Sequence, residues 1–553
     1  MRSTRMGAAG GIASAAAVAL VLAACGGGGS DDVDTDEVEE TQNTHAMEDF
    51  EVGTTFVATG DEPLNISVLY RDHPNYPLDE DWLFFTYLEE HHNVTFTNQI
   101  VPLSDWDEGR SLAIAGGNIP DIVPTSQPGD EGQFVGSGVL LPISQYLDFM
   151  PHLQEKIEAW DLQEELDQQL QLDGNFYMLP GLYEVPNPEY TVAIRADLFE
   201  ESGFTEDPET WDEFADMMET VMNDHDLDYA WSDRWSGGGP MEASMSMMSA
   251  GFGTAAGWNY GDGLHYDHDA GEYVYAGAMD EYRDLVGYLH DLVERGILDP
   301  ESVTQDDDTA IGKFTNGQSA VIGTNTQEIL TYRDSFDGDE DVQLIRVPAG
   351  PAGDVSSETR TFFGAMFSAD LADSDQLVAT LQFWDWLYYS DEGMEFAKWG
   401  VEGETYTREG DERVLADHID INNLNPGADS VLNTDYGFHN GVWMPTHGAS
   451  AELLTSMFRD EVTEFVEAMG EKEIIEPGPP YPYDEAEQET QSLTANTLND
   501  HVQQNTTRFI LGQRSLDEWD QYVTELEGYG MENYVNTANE AATRDFDEEA
   551  FDD

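Results

Sequence analysis

Asn65 to Tyr70 (Asn-Ile-Ser-Val-Leu-Tyr) is a β-branched, apolar run, and apolar positions alternate with polar ones from Val94 to Val101, which predicts two strands. A helical stretch around Trp82–Glu90 lies between them, giving a β-α-β opening and hence a parallel sheet covered by helices. After the turn Ala115-Gly116-Gly117-Asn118, Ile119–Val123 reads as another short buried strand, and Thr361–Met366 as a later one. The period then changes. Thr210-Trp211-Asp212-Glu213 is a capping box, and the helix it opens places Phe214, Met217, Met218 and Val221 on one face. Tyr282, Leu285, Val286, Leu289, Leu292 and Val293 recur at helical spacing up to Gly296, with Pro300 beyond. Leu377, Val378, Leu381, Trp384, Leu387 and Tyr388 mark a third amphipathic helix. Strands early and helices late predict an α/β protein with added C-terminal helices.

Composition changes this picture mainly through charge. The 553 residues include 113 Asp or Glu against 21 Lys or Arg, a formal charge of −92, and only four of the cations are lysines. Such a chain offers no basic surface to nucleic acid and none to anionic lipid. At molar salt the Debye length is only about 3 Å, so neighbouring carboxylates are screened from one another. This acidic surface fits a halophilic setting, with an alkaline habitat as the alternative. A melting temperature that stays flat from low to molar NaCl excludes the salt reading.

Arg2 and Arg5 precede a small-residue apolar run, about Met6 to Ala24, ending Leu22-Ala23-Ala24-Cys25, the pattern of a secretory signal over residues 1–24. Cys25 is the chain's one cysteine, so no intramolecular disulfide forms. A lone thiol after Leu-Ala-Ala resembles a bacterial lipobox. That resemblance implies cleavage before Cys25, lipid attachment to its sulfur, and a protein anchored to the outer face of the membrane rather than spanning it. The Gly-rich, acidic stretch that follows is expected to be a flexible tether over residues 25–61, and the end, 546–553, an acidic tail.

Catalytic signatures are missing. Gly251-Phe252-Gly253-Thr254-Ala255-Ala256 lacks the strand a dinucleotide fingerprint requires, and Gly312-Lys313-Phe314 lacks the hydroxyl of a phosphate loop. No Gly-x-Ser-x-Gly elbow occurs. His91 and His92 are adjacent and cannot share a helix face as zinc ligands do, and His265 with His268 reads as part of a solvated acidic loop. Asp224, Asp226 and Asp228 start like a calcium loop, but Tyr229 stands where a Gly is needed and Trp235 where the bidentate Glu belongs. No cofactor is therefore expected, with these three aspartates as the candidate if calcium binds.

Six short motifs fall in order along the chain. They are Ala115–Val123 (AGGNIPDIV), Gly138–Ile143 (GVLLPI), Asp173–Pro180 (DGNFYMLP), Ile194–Leu198 with Pro208–Phe214 (IRADL and PETWDEF), Gly350–Gly353 (GPAG) and Lys398–Tyr406 (KWGVEGETY). Together they make the chain similar to the extracellular solute-binding lipoproteins of ABC importers, in the oligosaccharide-binding branch called the LplA or alginate-binding type. Asn175 departs from that branch's usual Lys, and the calcium loop some members carry is shortened here. The resemblance implies a type II periplasmic-binding-protein fold, with two α/β lobes closing on a ligand cleft and docking on permease subunits. Lobe one is expected over 62–185 and 310–370, and lobe two over 186–309 and 371–545.

A sugar presents hydroxyls to polar side chains and C–H faces to aromatic rings. Trp231, Trp235, Trp258 and Tyr260 lie in Gly-rich, weakly periodic stretches, Trp443 follows Asn440-Gly441, and Tyr406 closes a family motif. Thr125, Ser126 and Gln127 follow a strand end, where open α/β sheets hold ligands, and Arg360 precedes a predicted strand. These ten are the candidate ligand-binding residues. An acidic sugar needs arginines, which are few, so a neutral oligosaccharide is favoured. Two functions follow: a binding protein that hands a sugar to an ABC permease, or a secreted, lipid-anchored carbohydrate hydrolase or lyase.

Overall fold

The alternating segments form the expected strands with slightly longer bounds: β1 is Leu64–Asp72 and β2 is Val94–Pro102. The computed structural model describes residues 33, 35–117, 119–336, 340–410, 412–443 and 449–546. The signal sequence, Cys25 and the tail beyond Phe546 lie outside the described residues. Further along come β3 (Ile122–Ser126), β4 (Met178–Leu182), β5 (Tyr190–Arg195), β6 (Val321–Asn325), β7 (Val342–Leu344) and β8 (Thr361–Phe367).

The first sheet has the order β2-β1-β3-β8-β4. β1 runs parallel to β2 from Leu64↔Val94 to Asp72↔Pro102, and parallel to β3 at Val68↔Ile122. β8 is antiparallel to both neighbours, pairing Gly364 with Ser126 and Thr361 with Leu182. The C-terminal ends of β1, β3 and β4 therefore share one rim with the start of β8. The second sheet, β6-β5-β7, is antiparallel, with Tyr190 opposite Asn325 at one rim. Residues 183–189 run directly from the end of β4 to the start of β5 and so join the two rims.

Each sheet has its own core. Around the first pack Ile66, Val68, Leu179 and the helix Leu377–Tyr389. That helix was expected to be amphipathic, yet all thirteen of its residues are buried, and Trp384 stacks on Tyr388 one turn on at 3.8 Å. A helix apolar all round belongs in a core, and this one fills the first lobe rather than the second. The second core gathers the helices Trp211–Asp224, Asp280–Glu294 and Glu485–Ile510. Thr210 caps the first of these, accepting from the Glu213 amide at 3.2 Å.

Two of the expected boundaries shift. Residues 310–345 join the second sheet, because β6 and β7 flank β5, and Phe314, Ile322 and Ile329 pack on Ala193. The tether ends well before residue 61. Phe56 and Ala58 are buried in the first core, and the Gln382 amide brackets Met47, accepting from its N–H at 2.9 Å and donating to its carbonyl at 3.1 Å. The Gly53 amide donates to His152 Nε2 at 3.0 Å, and His152 Nδ1 donates to the buried Asp385 at 2.8 Å. Asp385 also accepts the His152 and Leu153 amides at the start of the helix Pro151–Trp160. A Gly/Ser-rich start suggests a free arm, but its aromatic and apolar residues bind the body.

All four lysines are committed. Lys156 pairs with Asp391, Lys313 with Asp299 and Glu301, and Lys472 with Asp354. Lys398 is buried and donates to the carbonyls of Leu453 and Leu454 at 2.6 and 2.8 Å.

Candidate functional site

The two rims and the segment 183–189 that joins them hold the candidate ligand-binding residues. The second-sheet rim is aromatic. Tyr190, Trp235 and Trp258 lie together, with ring centroids 5.6 Å apart for Tyr190–Trp235, 5.0 Å for Tyr190–Trp258 and 5.5 Å for Trp235–Trp258. Trp258 is 43 % exposed, an unusual state for so large an apolar ring and one that leaves a face for a ligand. Trp235 holds a left-handed backbone with φ 59°, a strained conformation for a bulky residue.

That strain is fixed from behind. The Trp235 amide donates to Asp307 Oδ1 at 3.0 Å, and the Arg234 guanidinium lies 4.4 Å from the Trp235 ring centroid. Arg234 itself is tied to Asp307, Glu328 and the Tyr332 hydroxyl. Asp233, wholly buried, accepts from the Gly323 amide at 2.7 Å and from the Ser244 hydroxyl. Burial pushes its carboxyl up, and these hydrogen bonds oppose the push. A Cβ on Gly323 would stand 2.7 Å from Asp233 Oδ1 and 3.4 Å from the Trp235 ring, so β6 passes there only as glycine.

The first-sheet rim is polar. Thr125, the last but one residue of β3, has a left-handed backbone with φ 58°, rare for a β-branched residue, and its carbonyl accepts from Trp106 Nε1 at 3.2 Å. Ser126 is fully buried, and the Gln127 amide donates to Asp130, which also holds Arg110. Across this rim Arg71, near the end of β1, lies over the Phe363 ring of β8 at 5.5 Å. Beside it His73 stacks on Tyr76 at 4.2 Å.

Between the rims the segments that cross from lobe to lobe carry two carboxylates. Burial pushes the Glu358 carboxyl up to about 7, and the nearby Glu189 carboxylate adds to the shift. Glu189 is raised as well, by burial, against a hydrogen bond from Asn187 at 3.1 Å. Arg459 ties the two sides, donating to the Asn422 carbonyl at 3.1 Å and the Thr326 carbonyl at 2.9 Å. A cavity of about 60 Å³ beside it is lined by Glu189, Lys398, His439 and Met457. Burial, with Lys398 adding to it, holds the His439 imidazole down at about 3, so the ring is neutral at ordinary pH.

Of the ten candidate residues, Trp235 and Trp258 are brought together on one rim, and Thr125, Ser126 and Gln127 lie on the other. The remaining five are occupied elsewhere. Trp231 is 0 % exposed and stacks on Trp211 in the second core. Trp443, at 1 %, sits against Phe84 and Phe96 in the first. Tyr260 packs among Tyr275 and Tyr282, and Tyr406 donates to Glu395. Arg360 gives its donors to Glu165 and to the carbonyls of Trp160 and Asp161. Asp224, Asp226 and Asp228 do not converge; among the described residues no three His, Cys, Asp or Glu side chains gather as a metal site. The sequence reading missed Tyr190, Arg71, Phe363, Glu189 and Glu358. The strand-end rule that found Thr125 also points to Arg71, one strand over.

Comparison with known proteins fits this architecture. The bacterial extracellular solute-binding protein family matches residues 75–394, more than half of the chain. The chain is 22 % identical over 469 residues to the fructooligosaccharide ABC transporter substrate-binding protein FusA of Streptococcus pneumoniae serotype 4, covering 78 % of this chain and 81 % of FusA. Among solved structures, a solute-binding protein of Bifidobacterium longum infantis described as HMO-binding superposes with a TM-score of 0.68 at 17 % identity, covering 87 % of this chain and 99 % of that one. The alginate-binding protein AlgQ2 gives 0.66 at 17 %, covering 88 % and 99 %, and FusA with kestose 0.63 at 19 %, covering 86 % and 98 %. These neighbours share the type II periplasmic-binding-protein fold, and among the described residues no helix is long and apolar enough to cross a membrane. The chain belongs to the bacterial extracellular solute-binding proteins: it works outside the cytoplasm as a binding protein, not an enzyme.

Proposed function

We propose that this protein is lipid-anchored through Cys25, captures an oligosaccharide between its lobes and delivers it to the permease subunits of an ABC transporter. The observation that carries the reading is the Tyr190–Trp235–Trp258 aromatic platform with the Trp258 ring 43 % exposed. A sugar ring lays its C–H face on an indole while its hydroxyls meet polar groups opposite. The relatives point the same way: FusA is described as a fructooligosaccharide-binding component of an ABC transporter, and its structure was solved with kestose. No metal is assigned a role. A structural neighbour is described as an EF-hand mutant of FusA, whereas Asp224–Asp228 here lacks the glycine and glutamate of such a loop.

Thermal shift and calorimetry against a glycan panel test the function. The expected outcome is saturable stabilisation by an intact oligosaccharide, which follows from binding to the native state alone. A panel with no saturable binder refutes the sugar reading. For the anchor, Cys25→Ser should move the protein from the membrane fraction to the medium; unchanged partitioning removes the lipid.

A further inference from the structure

The two lobes touch at a place where the chain does not cross between them. The helix Glu485–Ile510 belongs to the second lobe, where Leu498, Val502 and Phe509 enter the core. The short helix Gly132–Val135 belongs to the first, with Phe134 and Val135 packed beside Val123 and Met366. Yet a Cβ on Gly136 would stand 3.5 Å from Glu485 Cγ, and one on Gly132 would stand 4.0 Å from Gln488 Nε2. The last described residue reaches the first lobe as well: a Cβ on Gly174 would lie 3.7 Å from Phe546 Cβ. Neither contact lies on a segment that carries the chain from lobe to lobe.

On the second-lobe side the contact is a braced block. Asp484 and Glu487 form a capping box, the Glu487 amide donating to Asp484 at 2.8 Å and the Asp484 amide to Glu487 at 3.0 Å. Arg544 closes a fork on the same Glu487 carboxylate, 2.7 Å to each oxygen, and holds it below the usual carboxylate range. That fork fixes Phe546, two residues on, to the start of the helix. On the first-lobe side the surface is bare. Gly136 has an ordinary right-handed backbone, φ −61° and ψ −14°, so conformation does not demand a glycine there. Residues 132–147 carry no charge, in a chain where 113 of 553 residues are acidic. Strongly acidic bodies repel, and an uncharged face is where they can meet. Between the two helices runs a groove of about 300 Å³, with Gln133 and Gln171 on one side and Gln488 and Ser492 on the other. The acids that line it, Glu485 and Glu489, are both on the second-lobe side.

We propose that the start of the helix Glu485–Ile510 and the braced Phe546 form a latch between the lobes. Resting on the uncharged face at Gly132 and Gly136 and on the turn at Gly174, the latch holds the lobes together. Withdrawn, it lets them part about the segments that join them. A contact this open and polar is of the kind on which domains of one chain move, and it is not a permanent core. The missing side chains at Gly132 and Gly136 let the helix come close without interlocking, so release breaks no packed core. The latch concerns what holds the lobes and does not depend on what they bind.

The test uses the mature chain with Cys25→Ser, which removes its one thiol. Into it go Gly136→Cys and Glu485→Cys, whose Cβ atoms would lie 3.8 Å apart. A disulfide spans about 3.5–4.5 Å between Cβ atoms. Oxidation should close an intramolecular bond about tenfold faster than in a control pair, Gly136→Cys with Thr490→Cys, because the first two thiols are already adjacent and the control lies on another face of the helix. Small-angle scattering of the free protein in molar NaCl then reads the lobes. Arg544→Ala with Phe546→Ala should raise the radius of gyration. Oxidising the Gly136→Cys, Glu485→Cys pair in that background should bring it back, which an unfolded chain would not do. Pairing no faster than the control, or a radius of gyration unmoved by the loss of Arg544 and Phe546, overturns the latch and leaves the sugar reading standing. A glycan panel with no binder does the reverse.

Discussion

On the second sheet the residue that meets the cleft, Trp235, is supported by a cation over its ring, an aspartate on its amide and a buried carboxylate one layer deeper. On the first sheet the residue in the matching place, Thr125, has an equally strained backbone but a side chain bonded to nothing. One rim is preorganised by interactions already made; the other leaves a buried hydroxyl without a hydrogen-bond partner. Preorganised aromatic surface supplies affinity without an ordering cost, whereas unsatisfied polar groups supply discrimination, because a wrong ligand leaves them unpaired.

The sharpest way to break this comparison is to contrast rings on the rim with rings in the core. Trp231→Ala and Trp443→Ala should each destabilise by about 3–5 kcal/mol, the usual cost of truncating a buried large aromatic ring. Denaturant melts check this, and a loss below about 1 kcal/mol means these rings are not core.

Next is the brace itself. Asp233→Ala strands the Gly323 amide and should cost about 2–3 kcal/mol. Thr125→Val, which swaps an orphan hydroxyl for a methyl, should shift stability by less than about 0.5 kcal/mol. Equal losses at both positions would erase the distinction between the rims.

The crossing segments give a smaller, pH-dependent effect. Glu358 keeps its proton to about 7 in the folded chain, whereas an unfolded glutamate releases it near 4.5. Between those values the folded state binds more protons, so this residue makes stability fall as pH rises. Glu358→Gln should remove about 1–2 kcal/mol of that decline between pH 5 and 8. Paired melts of parent and variant with parallel pH slopes would sink the assignment.

Smaller again is Trp258→Ala, which should weaken glycan binding about tenfold while moving the melting temperature little, since the ring is already part exposed. The smallest expected effect is that of chelator: EGTA should not shift the melting curve. A drop reversed by calcium would show that the Asp224–Asp228 turn, or another site, binds the ion.

Much of both lobes was legible where it is written locally. A β-branched apolar run located β1, alternation located β2, and the capping box at Thr210 located its helix, with Phe214, Met217, Met218 and Val221 buried as the spacing required. What was not legible depends on distant partners. Glycine-rich surroundings suggested that Trp231 and Trp443 were free, yet their neighbours, Trp211 and Phe84, come from far along the chain. Arg360 and Arg71 are the same residue type at the same sheet rim. Only the fold reveals that Glu165 has claimed the first, whereas the second lies over the Phe363 ring with no carboxylate partner among the described residues.

One further consequence belongs to Lys398. Burial holds its amine down to about 7, so at pH 8 most of it is an unprotonated nucleophile, yet it is sealed beneath the segment whose carbonyls it caps. The other three lysines are engaged with carboxylate partners. An amine-reactive ester will therefore find few ready targets on the folded chain. The rate at which Lys398 is acylated becomes a clock for how often that segment lifts.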